Sequence, residues 1–277
     1  MSYEFITAET TGGVMKITLN RPSVLNSFNA QMARELRAAL DGVRADRSVR
    51  AVLLTGVGRA FCAGQDLSEV PATPDGRKAF DLGTTVHVTY NPVIRTIRKL
   101  ERPVVCAVNG VAAGAGANLA LACDIVIAGE NASFIQSFAK VGLIPDSCGT
   151  FFLPRIIGLP RATALMMTGE RVNAKRAFEM GMIYKVCAAD ALEQESMALA
   201  SELAAMPTRG LGLTKRALNA SFSNTLDAQL ELEAELQGEA GNTPDFVEGV
   251  KAFLEKRKPN FTGEYKTPIP PPREPDR

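Results

Sequence analysis

The chain has 277 residues, of which 46% are hydrophobic and 22% are charged, and its 31 basic and 30 acidic side chains nearly cancel. This length exceeds that of a typical single domain and is sufficient for an enzyme with a large core. A balanced charge argues against a sequence-independent polyanion binder, which needs clustered Lys and Arg to gain from counterion release. We therefore expect a globular protein that has no nucleic-acid partner.

The N-terminal segment has acidic residues where a secretory signal would have basic ones, and it lacks a long apolar stretch. The apolar run 104–128 is interrupted by glycines and by Asn109, Asn118 and Asp124. A membrane span needs about 20 predominantly apolar residues, with charges rare near its middle. These patterns predict a cytoplasmic protein that has no membrane partner.

The first half of the chain alternates strand and helix patterns. Four short apolar runs are predicted strands: residues 14–19, 51–55, 103–108 and 124–128. After Asn29, apolar residues recur with helical spacing at Met32, Leu36, Leu40 and Val43. A glycine-rich loop and a further helix separate the second and third strands. Strands that alternate with helices and are apolar on both faces predict an α/β protein with a mostly parallel sheet.

The last third of the chain is predicted to be helical. Short helices over 161–168 and 173–180 are expected to end at Gly169 and Gly181, because glycine suits a left-handed C-cap. Thr243-Pro244-Asp245 predicts another helix start, with a capping hydroxyl, a proline in the first turn and an early acid. Its predicted apolar face comprises Phe246, Val250, Phe253 and Leu254, and the basic run 256–258 is expected to close it.

The cysteines number five and include no CxxC pair: Cys62, Cys106, Cys123, Cys148 and Cys187. Most stand in apolar runs, so we expect buried thiols in a reducing compartment. The single histidine, His87, excludes any zinc site that needs two histidines. Its apolar neighbours favour a packed or pocket-lining position over a catalytic one.

Two glycine-rich junctions follow predicted strands: AGQDL at residues 63–67 and AAGAG at residues 112–116. At such junctions peptide N–H groups lack helical partners, and small side chains let a ligand approach the backbone. Two N–H groups that converge on one oxygen would form an oxyanion hole, in which losing one donor costs roughly 3 to 4 kcal/mol. Spacing alone leaves a second interpretation open, in which the glycines only permit close packing in the core.

Dinucleotide binding fits the glycines less well. Gly110, Gly114 and Gly116 spell GxxxGxG, but no GxGxxG completes the pattern, and none of the tyrosines begins a YxxxK pair. The chain also lacks the GxxxxGK[ST] loop that holds phosphates in phosphoryl transfer.

Five segments resemble the crotonase (enoyl-CoA hydratase/isomerase) superfamily in order and spacing: LNRPSVLNSFN, GRAFCAGQDL, AVNGVAAGAGANLALACDIVIA, GLIPD and AFLEKRK. The resemblance covers about residues 4–263. Within the superfamily the chain is most similar to the ring 1,2-epoxyphenylacetyl-CoA isomerases of aerobic phenylacetate breakdown. Four segments carry this closer similarity: YNPVIR, AVNGVAAGAGA, GLIPD and PTRGLGLTKRALN.

The resemblance implies an α/β fold of the crotonase (ClpP/crotonase-like) type, in which ββα units repeat and a helical C-terminal region assembles trimers or hexamers. We accordingly divide the chain into a ββα core with the acyl-CoA site (1–200), a helical oligomerisation region (201–265) and a proline-rich tail (266–277). The tail has five prolines in its last eleven residues and is predicted to be extended or disordered.

The resemblance also implies the roles of individual residues. The N–H groups of Gln65 and Ala115 bind the thioester oxygen, with Gly114 and Gly116 on either side of Ala115. Seven positions match those that line the CoA site: Ser23, Val24, Leu25, Ala63, Asp66, Leu67 and Gly114. Phe253 and Lys256 match residues that reach the CoA of a neighbouring subunit.

Hydration in this family uses paired glutamates, which orient a water and deliver a proton. The corresponding positions here are Asn118 and Phe138, and neither side chain can exchange a proton as a carboxyl group does. Efficient hydratase activity is therefore not expected. We interpret Asn118 as a residue that orients the loop or holds a water.

Asp146, in GLIPDSCG, would by itself be read as a turn residue or a helix N-cap. The resemblance makes it the acid/base, because isomerases of this type carry their working Asp at this place. Partial burial beside Phe138, Ile144 and Phe151 would raise its pKa. Asp124 precedes a strand, is predicted to fix a turn, and is not included in the site.

The expected reaction is an isomerisation in which the Gln65 and Ala115 amides polarise the thioester carbonyl and Asp146 moves a proton. It would convert 1,2-epoxyphenylacetyl-CoA to an oxepin, or 3-enoyl-CoA to 2-enoyl-CoA, without a metal or redox cofactor. Four aromatic residues could shape the acyl pocket or pack the core: Phe80, Tyr90, Phe134 and Phe138.

Three alternatives stay open. The first is an enoyl-CoA hydratase. The second is aryl-CoA dehalogenation with Asp146 as nucleophile, although enzymes of that kind also use Trp and this chain has none. The third is a non-catalytic scaffold of the crotonase fold that binds acyl-CoA.

Overall fold

The computed structural model describes residues 3–69 and 81–264. Phe80 and the tail 266–277, for which the sequence makes predictions, lie outside these residues. Within the described ranges, no helix combines the length and the apolar character that crossing a bilayer requires.

The strands of the described chain are β1 (Ile6–Thr11), β2 (Val14–Leu19), β3 (Ala51–Gly56), β4 (Ala60–Cys62), β5 (Val104–Val108), β6 (Val111–Ala113), β7 (Ile125–Gly129), β8 (Ser133–Ile135), β9 (Arg171–Asn173) and β10 (Lys185–Cys187). The α-helices are α1 (Ala30–Ala45), α2 (Leu82–Val88), α3 (Tyr90–Lys99), α4 (Ala115–Leu121), α5 (Gly149–Ile157), α6 (Leu159–Thr168), α7 (Ala174–Glu179), α8 (Leu192–Ala205), α9 (Thr208–Ala220), α10 (Leu226–Gly241) and α11 (Pro244–Leu254). Short 3-10 helices cover Pro22–Val24, Leu67–Glu69 and Ser137–Val141.

The strands of the described residues form two sheets. The larger has six strands in the order β1-β2-β3-β5-β7-β10, and the smaller has four in the order β4-β6-β8-β9. All neighbours are parallel except β1 with β2 and β8 with β9. Three consecutive strand pairs are shared between the sheets: β3-β4, β5-β6 and β7-β8. In each pair the first strand belongs to the larger sheet and the second to the smaller, and a helix follows. This repeated ββα unit confirms the predicted α/β fold class.

Local sequence signals explain where the first long helix forms. The Asn29 side chain caps α1 by accepting a hydrogen bond from the N–H of Met32 at 2.8 Å. The four apolar residues predicted to form its inner face are at most 1% exposed: Met32, Leu36, Leu40 and Val43. The glycines predicted to end α6 and the helix after it, Gly169 and Gly181, have φ of +61° and +77°. These predictions are confirmed.

The sequence does not predict the shortest strands. Strand β4 lies inside the segment interpreted as a glycine-rich loop, and β6, β8 and β9 are also three residues long. Three residues are too few to show a period of two, so only pairing across the small sheet defines these strands.

Helix α11 begins as predicted, because the Thr243 hydroxyl accepts a hydrogen bond from the N–H of Phe246 at 3.2 Å. Its predicted apolar face is nevertheless between 45% and 82% exposed: Phe246, Val250, Phe253 and Leu254. The helix instead buries Asp245 and Ala252. Periodicity identifies an apolar face, but the single chain leaves that face uncovered.

Two predictions about buried side chains are wrong. Cys148 is exposed, unlike the other cysteines, and His87 is exposed on α2. Cys148 stands in a loop ahead of α5, and α2 buries none of its residues. Apolar neighbours in sequence therefore do not determine the burial of either side chain.

Asp124 connects the large sheet to two helices. It precedes β7 and accepts a hydrogen bond from the N–H of Val104 at 2.8 Å. It also forms ion pairs with Lys215 of α9 at 2.6 Å and with Arg98 of α3 at 3.2 Å. The Lys215 side chain is only 7% exposed, and its burial lowers its pKa. Asp124 thus does more than fix a turn, because it compensates a buried cation.

We expect Asp124→Asn to lower the free energy of unfolding by about 3–5 kcal/mol, since it leaves the buried Lys215 charge without its partner. The control is Glu193→Gln, which removes the exposed ion pair with Lys16 and should cost less than about 1 kcal/mol. Urea unfolding measures both values. Equal, small losses for the two variants would contradict the structural role of Asp124.

Candidate active site

The two glycine-rich junctions lie side by side. Strands β4 and β6 are parallel neighbours, with Cys62 opposite Ala112, so both junctions leave the small sheet at the same edge. A Cβ on Gly64 would lie 3.6 Å from the Ala115 nitrogen and 2.9 Å from the Ala113 oxygen. The peptide before Gln65 therefore lies close to the peptide of Ala115.

Hydrogen bonds to Phe28 orient the first junction. The N–H of Phe28 donates to the Gly64 oxygen at 2.6 Å, and the N–H of Asp66 donates to the Phe28 oxygen at 2.9 Å. Because residues 64 and 66 make these bonds, the N–H of Gln65 between them faces the other side. Within the described chain, neither this N–H nor that of Ala115 donates a hydrogen bond. Ala115 is buried and Gln65 is half-buried. Unpaired backbone N–H groups away from solvent are rare, so two neighbouring ones point to a site for an acceptor.

The glycines of the second junction have different roles. Gly114 has φ of +52°, which permits the turn that places the Ala115 N–H at the start of α4. A Cβ on Gly116 would overlap the Cys62 carbonyl, and one on Gly110 would overlap the Arg59 carbonyl. Gly114 therefore serves the backbone conformation of the site, whereas Gly110 and Gly116 permit close packing. The packing interpretation is confirmed at Gly110 and Gly116, and the ligand-binding role of the second junction stays a prediction.

A narrow, mainly apolar cavity, too small in this structure to hold a water molecule, lies beside Ala115. Its walls are Phe28, Tyr90, Val93, Ile94, Ala115, Leu119 and Ser147. Tyr90 stacks on Phe28 with ring centroids 5.3 Å apart, and its hydroxyl donates to the Gln65 side-chain oxygen. The cavity therefore joins the Ala115 amide to the loop that contains Asp146.

The predicted aromatic residues separate into two groups. Tyr90 lines the cavity, and the Phe138 ring lies near Gly114, 3.7 Å from where a Cβ would stand. Phe134 is 3% exposed on β8 and belongs to the main hydrophobic core.

The Asp146 loop has an uncommon backbone conformation. Ser147 and Cys148 have φ of +51° and +61°, the left-handed region that non-glycine residues rarely adopt. The chain enters α5 directly afterwards, and the Gly149 N–H donates to the Asp146 carbonyl oxygen at 2.9 Å. Strained backbone of this kind persists where surrounding contacts hold it, and it occurs often at functional sites.

Asp146 is half-buried, and burial raises the pKa of its carboxyl group. A hydrogen bond from the Ser147 hydroxyl to Asp146 Oδ1, 2.8 Å long, acts in the opposite direction. The raised pKa agrees with the expectation from sequence, although Ile144, one of the expected neighbours, is 82% exposed.

Asn118 and Gln136 lie beneath this loop and are 1% and 5% exposed. Asn118 Nδ2 donates to the Asp146 carbonyl oxygen at 2.8 Å, and Gln136 Nε2 donates to Asn118 Oδ1 at 2.8 Å. Of the two roles considered for Asn118, orienting the loop agrees with these contacts. Gln136 is not predicted from the sequence, in which it is only a polar residue directly after strand β8.

The segments expected to line the CoA site are also brought together. The N–H of Ala63 donates to the Leu25 oxygen at 3.0 Å, which joins the first junction to the 3-10 helix at Pro22–Val24. Asp66 forms an ion pair with Arg21 at 2.8 Å, and hydrogen bonds from Ser68 together with this cation lower its pKa. Three further residues of this group are exposed: Ser23, Val24 and Leu67.

Phe253 and Lys256 are not part of this arrangement within the chain. Both are exposed at the end of α11, which packs on α10. Their predicted contact with CoA requires a second subunit and stays a prediction.

Known proteins share both the fold and the sequence. The chain superimposes on the enoyl-CoA hydratase of Bacillus anthracis with a TM-score of 0.88 at 34% identity, covering 94% of this chain and 100% of the other. It is 51% identical over 261 residues to the 1,2-epoxyphenylacetyl-CoA isomerase of Escherichia coli (strain K12), covering 94% of this chain and 99% of the relative. It is 35% identical to the short-chain-enoyl-CoA hydratase of Clostridium acetobutylicum, covering 93% and 97%.

The structural similarity identifies the class of protein, an α/β protein with the crotonase fold. The sequence profile of the enoyl-CoA hydratase/isomerase family matches residues 9–264. The chain belongs to this family, which supports an acyl-CoA thioester as substrate, and the resemblance found in the sequence is confirmed.

Close packing at Gly116 can be tested by substitution. We expect Gly116→Ala to lower the free energy of unfolding by about 1–3 kcal/mol, because its methyl group would overlap the backbone of Cys62. Gly42→Ala is the control, since this exposed position in α1 has open space around it. It should gain about 0.5–1 kcal/mol from helix propensity. Urea unfolding measures both values. An unchanged free energy of unfolding for Gly116→Ala would refute the packing role of this glycine.

Proposed function

We propose that this protein is an acyl-CoA isomerase in which the N–H groups of Gln65 and Ala115 bind the thioester oxygen and Asp146 moves the proton. The observation that carries the proposal is the pair of neighbouring N–H groups without partners in the described chain, beside a cavity whose wall includes Ser147. The half-buried carboxyl group of Asp146 precedes Ser147 directly. A thioester oxygen, an apolar acyl group and a carboxylate would thus meet in one place once this narrow cavity widens to admit the acyl group.

The chemistry requires one acid/base group. Two hydrogen bonds to the thioester oxygen stabilise the negative charge that develops there when the α-carbon loses a proton. The Asp146 carboxylate takes this proton and becomes a carboxylic acid. For a 3-enoyl-CoA, returning the proton to C4 leaves the double bond between C2 and C3. No water, metal or redox cofactor takes part in the proposed reaction.

The same groups suit an aryl epoxide. In 1,2-epoxyphenylacetyl-CoA the bond shared by the two epoxide carbons opens to a seven-membered oxepin ring. The α-proton leaves to Asp146 and returns to a ring carbon, so that atoms are conserved. The 51% identity to a 1,2-epoxyphenylacetyl-CoA isomerase supports this substrate as the first to be tested.

Hydration is less well supported. The positions of the paired glutamates are Asn118 and Phe138, and both Asn118 amide ends are already bonded, to the Asp146 backbone and to Gln136. A hydratase would turn over crotonyl-CoA at a rate comparable to its best isomerisation. A non-catalytic scaffold would bind acyl-CoA without exchanging its α-protons for solvent deuterium.

We further propose that the protein assembles into trimers or hexamers through its helical C-terminal region. The exposed apolar face of α11 supports this proposal, because large apolar patches on a folded chain commonly mark an interface. In such an assembly Phe253 and Lys256 would reach the CoA of a neighbouring subunit.

The role of Asp146 is tested with Asp146→Asn, which keeps the shape of the side chain but cannot take a proton. We expect turnover of 1,2-epoxyphenylacetyl-CoA and of a 3-enoyl-CoA to fall by at least about 100-fold, while acyl-CoA affinity is unchanged. Asp41→Asn, at an exposed site on α1, is the control and should be fully active. An active Asp146→Asn variant would remove Asp146 from the mechanism.

The pKa of Asp146 predicts the pH dependence. A base must be deprotonated, so kcat/KM should fall on the acid side as pH drops through a pKa above the usual range of Asp. Ser147→Ala removes a hydrogen bond that favours the carboxylate, so it should move this acid limb to higher pH. Steady-state rates across pH for both proteins measure the shift. If the acid limb of Ser147→Ala stays in place or moves to lower pH, the assignment of Asp146 as the base is contradicted.

A further inference from the structure

We infer that Gln136 and Asn118 are positioning residues for the Asp146 loop, with Gln136 supporting the orientation in which the Asn118 amide donates to that loop. The inference rests on the proposed function, in which Asp146 is the acid/base. It concerns how the chain keeps that carboxyl group in place, and Gln136 is a residue without a role in the reaction described above.

The bonds form a directional relay. The Asp146 carbonyl oxygen can only accept, so the Asn118 atom 2.8 Å away must be Nδ2. Asn118 Oδ1 then faces Gln136, whose Nε2 donates to it, also at 2.8 Å. With the Asn118 amide reversed, two oxygens would face each other at the loop. The Gln136 donor stabilises the orientation that avoids this contact.

The backbone conformation of the Asp146 loop requires stabilising contacts. Ser147 and Cys148 both adopt the left-handed region, which isolated non-glycine residues avoid. The Asp146 carbonyl accepts two hydrogen bonds, from the Asn118 side chain and from the Gly149 N–H at 2.9 Å. Together these two bonds fix the peptide group between Asp146 and Ser147. Fixing this backbone also limits where the Asp146 carboxyl group can lie.

Two further observations show that the arrangement is specific. A Cβ on Gly149 would overlap the Asn118 amide, so this contact exists only because residue 149 is glycine. Gln136 Oε1 is buried and finds no partner within the described residues, although unpaired buried acceptors are unfavourable. An apolar side chain would avoid that cost. The retained amide indicates that its donor end is needed.

The test uses isosteric variants of the full chain with 3-hexenoyl-CoA as substrate. Asn118→Asp replaces the donor with a carboxylate oxygen, which repels the Asp146 carbonyl. We expect kcat to fall by up to about 100-fold at neutral pH with little change in KM, as for a small displacement of a catalytic group. Gln136→Glu removes the other donor and should reduce kcat in the same way.

The pH profile separates positioning from a general structural effect. When protonated, the carboxyl group that Asn118→Asp introduces has one donor and one acceptor, the same pattern as the original amide. The ratio of Asn118→Asp activity to wild-type activity should therefore rise towards one as pH falls. The control is Asn242→Asp, where the amide also donates to a backbone carbonyl, that of Gly238 at 2.9 Å, but on the exposed end of α10. Its ratio should be one at every pH.

Hydrogen exchange provides a measure that does not depend on the reaction. At neutral pH, a peptide covering residues 146–150 should exchange faster in Asn118→Asp and in Gln136→Glu than in wild type, since the Gly149 N–H bond is released. Unchanged exchange together with a flat activity ratio would overturn the positioning role. If exchange is faster but Asp146→Asn is fully active, the two amides do hold the loop and the proposed function fails.

Discussion

The site depends on the close approach of the Gly116 backbone to the carbonyl of Cys62. This contact brings the start of α4 against β4, and with it the Ala115 N–H towards the peptide of Gln65. Both donors belong to the backbone and follow strands β4 and β6 of the small sheet within three residues. Such backbone donors would suit electrostatic stabilisation, because preorganised dipoles need no rearrangement.

The side of the site to which we assign proton transfer is built differently. Asp146 stands in a loop with left-handed backbone, half-buried, where burial raises its pKa and Ser147 opposes the rise. Its geometry depends on side-chain amides rather than on a sheet. One element of the site thus follows from strand pairing, whereas the other follows from a buried polar network that must be fully oriented to be useful.

The C-terminal helices differ in how they relate to the rest of the chain. Lys215 of α9 crosses to Asp124 at the sheet, a buried ion pair whose desolvation only a close geometry can offset. Helix α11 keeps its large apolar residues outside, where the single chain cannot cover them. The same region therefore closes the core of one chain and presents a surface that a second chain could bury.

Local signals in the sequence determined most of the long elements: the Asn29 and Thr243 caps, the glycine C-caps, the apolar face of α1 and four strands of the large sheet, β2, β3, β5 and β7. Family motifs also pointed to the two glycine junctions and Asp146. Only the tertiary structure decided that Gly114 and Gly116 have different roles, that α11 and Cys148 are exposed, and that Gln136 supports Asn118. Capping and periodicity act over a few neighbouring residues, whereas burial, close backbone approach and side-chain relays depend on residues far apart in the chain.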